Sequence, residues 1–272
     1  MDQSSLDAIA NTFASKFIAR TDVKAEQQKD GKWHVHTTDG KRESPRIPWR
    51  REDLNAHVEG KRTFGHYLLN KDNQCKLFAF DVDLEKAGCL PTLPLTPEVE
   101  EDQWRDSFVE INDLRAAWLD RANPARDFMK FQFKEIAHKL LVAISKDLGL
   151  PCAAAYSGGK GIHVYAFTGL LDASSSREGL QIVLDSVGGF EPIRGENFVR
   201  HKDYPNLSIE LFPKQNSLDG KDLGNLMRLP LGKNLKAPQE PTFFIDMIGP
   251  FAQMQPMDPI TALSLETPWT PF

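Results

Sequence analysis

The sequence predicts an α/β or α+β fold, with mixed or antiparallel central sheets flanked by helices. Three observations lead there. Strand-like and helix-like patterns alternate from about residue 63 to residue 212, the order expected of sheets covered by helices. The run Leu77-Phe78-Ala79-Phe80-Asp81-Val82-Asp83-Leu84 is the best strand pattern in the chain. Residues 125–148 carry apolar positions at helical spacing, closed by Gly149 and Pro151.

The other elements follow in order. Residues 6–19 have helical periodicity and predict an opening helix. A hairpin is expected next, 23–28 with 33–37, turned by Lys29-Asp30-Gly31-Lys32. Pro45 and Pro48 interrupt the chain before a short helix at 51–58, which Gly60 stops. Strands are predicted at 63–69 and 76–84. Gly88, Pro91, Pro94 and Pro97 mark a loop. Residues 98–121 then read as one charged, amphipathic helix, expected as a surface insertion. After the helix at 125–148 come short strands at 152–156 and 162–167, then a helix at 174–187 ended by Gly188-Gly189. A strand at 207–212 precedes a glycine-rich basic segment. From residue 238 onward prolines recur, and an irregular extension over 238–272 is expected. The organisation is therefore a domain over 1–237, with an α/β part at about 1–75 and a second part at about 76–237.

Composition narrows the function classes. The chain has 272 residues, 40% hydrophobic and 26% charged, ordinary values for a globular protein large enough for one or two joined domains. No stretch is long and apolar enough to span a bilayer. Met1-Asp2-Gln3-Ser4-Ser5 lacks the basic-then-apolar pattern of a secretory leader. Three cysteines, Cys75, Cys89 and Cys152, without CxxC spacing argue against a disulfide framework or a structural zinc site, so a reducing cytoplasm is expected. The net charge of −5 speaks mildly against indiscriminate nucleic-acid binding. Cations nevertheless gather at Lys41, Arg42, Arg46, Arg50, Arg51, Lys61 and Arg62, and again from Arg194 to Lys236. Such segregation either builds a local positive groove or is a solvated face.

Three motifs carry the chemistry. Asp81 and Asp83 alternate with Phe80, Val82 and Leu84, so both carboxylates share one strand face. Paired carboxylates repel and resist burial, which a divalent cation with hard oxygen ligands, Mg²⁺ or Mn²⁺, resolves. Against this, 38 acids in 272 residues yield roughly five acid-x-acid pairs by chance. The second motif is Tyr156-Ser157-Gly158-Gly159-Lys160-Gly161-Ile162-His163. Its glycines allow a tight turn whose amides approach a ligand, and Ser157, Lys160 and His163 offer a hydroxyl, a cation and an imidazole to phosphate. It is not an ordinary nucleotide-hydrolase phosphate loop, because a strand rather than a helix follows. A plain hairpin turn with a surface lysine and a packed histidine is the alternative. The third motif is Ser208-Ile209-Glu210-Leu211-Phe212-Pro213-Lys214-Gln215, followed by Leu223-Gly224-Asn225-Leu226-Met227-Arg228-Leu229-Pro230-Leu231-Gly232. Glu210 is either a third ligand or an acid on a solvated strand, with Lys214 and Arg228 as flanking cations.

In this order the three segments resemble the archaeo-eukaryotic primase superfamily, whose catalytic centre combines a DxD or DxE strand, an SxH-like hairpin and a strand bearing a third acid. The third motif most resembles that of primase-polymerases of bacterial mobile elements and CRISPR-associated loci. Related conflict-system primases look similar across Arg20 to Ala25 and across the H-x-x-G-x-x-T-x-G-x-Y pattern from His57 to Tyr67, so the resemblance covers roughly residues 20–232. The resemblance implies an RRM-like catalytic core over about 76–237 and a DNA-directed nucleotidyltransferase, a DNA primase or DNA polymerase acting on single-stranded or primed DNA with NTP or dNTP. It implies two ions, Mg²⁺ or Mn²⁺, held by Asp81, Asp83 and Glu210. Ser157, Gly159, Lys160, Gly161 and His163 are implied to hold the triphosphate, and Lys214 and Arg228 to neutralise phosphate charge. Helicase or CRISPR and mobile-element proteins are the partners such a family suggests. A steric gate at Tyr67 or Tyr165 is the candidate for sugar selection. The chain departs from relatives in lacking zinc-ligand spacing, in carrying glutamate as third acid, and in the 98–121 segment. The rival readings are a metal-dependent nuclease using the same acids and a non-catalytic nucleic-acid-binding module.

Overall fold

The computed structural model describes residues 2–41, 43–94, 100–248 and 254–264. Helix α1 (Gln3–Lys16) starts where the Asp2 carboxylate accepts the backbone N–H of Ser5 at 2.8 Å, and it buries Leu6, Ile9, Ala10 and Phe13 along one stripe. The hairpin β1 (Ala25–Gln27) and β2 (Trp33–Val35) follows, then α2 (Arg51–Val58) and β3 (Phe64–Tyr67). The long strand β4 (Gln74–Leu84) leads to β5 (Gly88–Pro91), α3 (Glu101–Arg105), β6 (Phe108–Ile111) and α4 (Leu114–Leu119). Helix α5 (Arg126–Ala143) ends in a π turn, Ile144–Leu148, that Gly149 closes in the left-handed conformation. Next come β7 (Cys152–Tyr156), β8 (Gly161–Asp172), α6 (Ala173–Val187), β9 (Phe190–Pro192), β10 (Phe198–His201) and β11 (Leu207–Phe212). The chain ends with β12 (Leu226–Arg228), β13 (Phe243–Ile245), β14 (Pro256–Met257) and α7 (Pro259–Ser264). Among the described residues, no helix is long and apolar enough to cross a membrane.

The strands form an eight-stranded sheet in the order β14-β13-β7-β8-β4-β11-β10-β9, a four-stranded sheet β12-β3-β1-β2, and the pair β5-β6. Neighbouring strands run antiparallel. At the centre, β4–α5–β7–β8–α6–β11 is a β-α-β-β-α-β unit with strand order β7-β8-β4-β11. Strand β4 is its axis. Phe78, Phe80, Val82 and Leu84 point into the core beneath α5 and α6, where Phe133, Ile136, Leu180 and Val183 meet them. Burying each of these large side chains contributes roughly 1.5–3 kcal/mol. On the opposite face Leu77 and Ala79 join a second core with Phe13, Phe17, Tyr165 and Phe167. Two residues further along that face come Asp81 and Asp83, where the apolar cover gives way to a cavity.

Two expectations need correction. The single helix expected at 98–121 is broken into α3, β6 and α4, with positions 98 and 99 outside the described residues. The run Phe108-Val109-Glu110-Ile111 is strand-forming and pairs with β5, and Asp113 then caps a new helix by accepting from Ala116 N at 2.9 Å. Nor is the segment purely superficial, since Leu114 and Trp118 are buried in the main core. The extension from 238 is likewise not irregular throughout. Phe243-Phe244-Ile245 adds β13 to β7, with Phe243 opposite Tyr156, because aromatic and β-branched residues suit a half-buried strand. Residues 249–253 and 265–272 of that extension lie outside the described residues.

Candidate active site

The register of three adjacent strands builds the site. Asp81 on β4 stands opposite His163 on β8 and opposite Glu210 on β11. Asp83, one pleat further, stands opposite Gly161 and Ser208. Directly opposed residues of antiparallel strands share a face, with their Cβ atoms about 4.5–5.5 Å apart. This face opens on a cavity of about 460 Å³ lined by Asp81, Asp83, Glu210, Ser157, Gly159, Lys160, His163, Lys214 and Arg228. Nine of the ten residues singled out from the sequence thus meet in one place. The tenth, Gly161, does not line the cavity but makes room for it. A Cβ there would lie 2.2 Å from Asp83 Oδ1 and 2.4 Å from the Val82 carbonyl oxygen.

The charges are tightly interlocked. The Lys160 ammonium lies 3.0 Å from Asp83 Oδ2 and donates to the Leu84 carbonyl at 3.2 Å. Lys214 forms an ion pair with Glu210, its ammonium held over the rings of Phe212 and Phe198. Asp81 has no lysine or arginine ion pair among the described residues. Burial first, then the charges of Asp83 and Glu210, push its carboxyl well above the usual carboxylate range, and Arg228 and Lys160 offset this in part. Among the described residues no three His, Cys, Asp or Glu side chains form a ready-made metal cage. The donor chemistry nonetheless fits a divalent cation. Three carboxylates crowd one cavity, two are held by lysine ammoniums standing where positive charge is needed, and the third is raised by burial and by repulsion from the other two.

The glycine turn is held in one shape by its carbonyls. Gly158 has φ of 67°, which suits glycine alone at low cost. Arg228 donates to the Ser157 carbonyl, Asn234 Nδ2 to that of Gly158 at 2.9 Å, and the Tyr156 hydroxyl to that of Gly159 at 3.0 Å. Ser157 donates both its backbone N–H and its hydroxyl to the Gly161 carbonyl, at 3.0 and 2.8 Å. Its hydroxyl hydrogen is therefore committed inside the turn. His163 is neutral: burial, then Arg228, bring its pKa down to about 3. Its Nδ1 lies 2.7 Å from the Tyr165 hydroxyl and its Nε2 3.4 Å from Asp81 Oδ1. When the buried hydroxyl donates to Nδ1, both groups are satisfied and Nε2 carries the hydrogen that points toward Asp81.

Several lining residues escaped the sequence reading. Gln27 and Trp33 come from the hairpin, Leu226 and Met227 from β12, Arg115 from α4, and Asn234 and Lys236 from the segment after Gly232. Pairing of β12 with β3 carries Arg228 and its neighbours over the main sheet, and no local pattern announces such a pairing. The tyrosines considered as a sugar gate do not reach the cavity: Tyr67 and Tyr165 are both buried, Tyr165 under Phe17 and Phe167.

The family model of the archaeo-eukaryotic primase domain of TOTE conflict systems matches residues 8–264. No curated protein matches the chain.

Proposed function

Because the chain belongs to the archaeo-eukaryotic primase domain family of TOTE conflict systems, a primase-like nucleotidyltransferase family, we propose that it is a template-dependent DNA primase or DNA polymerase that uses two divalent ions, Mg²⁺ or Mn²⁺. One observation carries this reading: Asp81 stands between His163 and Glu210 on three neighbouring strands, over the cavity that also holds the Ser157–Lys160 turn. We read the β-α-β-β-α-β unit beneath it as the RRM-like catalytic core.

Asp81, Asp83 and Glu210 would hold the ions. When bound, such ions lower the pKa of a primer 3′-hydroxyl and neutralise the departing pyrophosphate. The protein's own groups do the rest. His163 Nε2–H is a fixed neutral donor for a phosphate oxygen, oriented by Tyr165. Lys160 and Lys214 supply charge-assisted bonds to phosphates. Arg228 is half-buried and anchored on the Ser157 carbonyl, so it adds positive charge without moving. The rigid turn places the triphosphate relative to the acids. Trp33, Leu226 and Met227 give the opposite wall an apolar character suited to a nucleobase. Contacts to a DNA template strand would be salt-dependent.

The test is extension of a primed DNA template with Mg²⁺ or Mn²⁺, run with NTPs and dNTPs, alongside an unprimed single strand. Wild type is expected to lengthen the primer. Asp81→Ala and Asp83→Ala are expected to abolish extension while leaving the circular dichroism spectrum unchanged. Near wild-type extension by either variant refutes the assignment. Strand degradation without nucleotides would make the protein a nuclease instead, and binding without turnover a non-catalytic module.

A further inference from the structure

Helix α4 belongs to the segment that has no counterpart in the three motifs, yet it reaches the cavity. Its buried face is fixed by Leu114 and Trp118 in the main core. Trp118 Nε1 donates to the Tyr156 hydroxyl at 3.0 Å, and that hydroxyl has the Gly159 carbonyl at 3.0 Å and Glu240 Oε2 at 3.2 Å as acceptors. The helix is therefore tied to Tyr156, the residue that opens the glycine turn. Three positions before Trp118, Arg115 lines the cavity together with Ser157, Gly159 and Lys160.

Arg115 differs from three of the four other cations there, while the fourth, Lys236, is exposed like it. Lys160 is paired with Asp83, Lys214 with Glu210, and Arg228 is committed to the Ser157 carbonyl. Arg115 is exposed and makes no hydrogen bond or ion pair with another described residue. An unpartnered guanidinium carried on a helix packed against the glycine turn has five donors available for an anion.

We propose that Arg115, presented by the inserted helix α4, is a substrate-binding residue that takes the outer phosphates of the nucleoside triphosphate across the cavity from the Ser157–Lys160 turn. This rests on the catalytic reading above and extends it, since it makes the inserted segment part of the nucleotide site. The commitment to triphosphate rather than to a DNA strand follows from the shared lining with the turn and from the Trp118–Tyr156 bond, which ties the helix carrying Arg115 to the residue that opens that turn.

The experiment is calorimetric binding of ATP, dATP, AMP and dAMP in Mn²⁺ to wild type, Arg115→Ala and Arg115→Lys, with binding of a single-stranded DNA measured in parallel. A charge-assisted contact corresponds to about tenfold to a hundredfold in affinity. Arg115→Ala is expected to weaken triphosphate binding by that factor and to leave monophosphate binding unchanged. Arg115→Lys is expected to recover part of the loss as a point charge. An Arg115→Ala variant that binds triphosphate like wild type, loses triphosphate and monophosphate equally, or loses only DNA overturns the inference. Failure of wild type to bind either triphosphate is a different result, one that removes the catalytic reading and this inference with it.

Discussion

Replacing Tyr165 by phenylalanine isolates the device that orients His163. The substitution removes one oxygen from a fully buried ring and leaves the packing against Phe17 and Phe167 in place. What is lost is the 2.7 Å hydrogen bond to His163 Nδ1. The imidazole is also buried and stays neutral, its pKa brought down to about 3 by burial and Arg228, so protonation does not rescue the orphaned nitrogen. A buried hydrogen bond between neutral groups and the unsatisfied acceptor left behind together cost about 1–2 kcal/mol. In a chain of this size that lowers the melting temperature by about 2–8 °C. The second effect is on the tautomer. Without the Tyr165 hydroxyl, Nε2–H is no longer enforced, and selecting it at the phosphate lowers nucleotide affinity by about fivefold, equivalent to about 1 kcal/mol. The assay is ¹⁵N NMR of the histidine ring nitrogens, combined with urea denaturation and nucleotide titration. Wild type is expected to show His163 protonated at Nε2, and Tyr165→Phe a mixture. If wild-type His163 carries its proton on Nδ1, the reasoning fails whatever the variant does.

Two further substitutions probe the acids and the space they occupy. Asp81→Asn is expected to stabilise the metal-free protein at neutral pH. The folded-state pKa of Asp81 is raised above 3.8, so wild type loses stability as pH rises through that folded value, and asparagine does not. In chelator, the stability difference between the two proteins should shrink toward pH 4, and a difference that stays constant from pH 4 to 8 contradicts this. Gly161→Ala is expected to destabilise by about 1–3 kcal/mol and to displace Asp83, since the new methyl meets not only Asp83 Oδ1 but also the Val82 carbonyl, which is backbone and cannot swing aside. An urea midpoint equal to wild type would show that β8 yields at no cost.

Much of the fold was legible because its elements are locally consistent. The strand at 152–156, the helix at 51–58 and the strand at 207–212 match the observed bounds, and each combines a clean hydrophobic period with a flanking stop. The opening helix, expected at 6–19, lies at Gln3–Lys16, and the hairpin, expected at 23–28 with 33–37, pairs only Ala25–Gln27 with Trp33–Val35. What escaped were elements that only tertiary pairing creates. Strand β12 is three residues long and exists because β3 receives it. Strand β13 is fixed by the edge of β7 in the same way. The segment 98–121 misled because charged residues at helical spacing are also compatible with short pieces, and neither the match of β6 to β5 nor the burial of Trp118 is visible in a window of local sequence. The site was legible to the same degree. Residues on β4, β8 and β11 carry motif patterns, whereas Trp33, Arg115 and Asn234 have none and enter through the packing of distant segments.

The acids themselves are placed by the residues that have no chemistry. Asp81 and Asp83 alternate with Phe80, Val82 and Leu84, all fully buried beneath α5 and α6. A slip of one residue between β4 and either neighbour would turn those apolar side chains into the cavity and drive two carboxylates into the core. Each misplaced Phe, Val or Leu would forfeit roughly 1.5–3 kcal/mol of burial, and an ionised carboxylate in the core costs more still. The register that sets Asp81 between His163 and Glu210 is thus held by the opposite face of the same strand. Glu210 obeys the same rule on β11, where Ile209 and Leu211 are buried beside it. Repulsion among the three carboxylates works against this arrangement but acts through two pleats only, while the apolar face acts along the whole strand. The large term wins, and the crowded acids that a cation suits are its consequence.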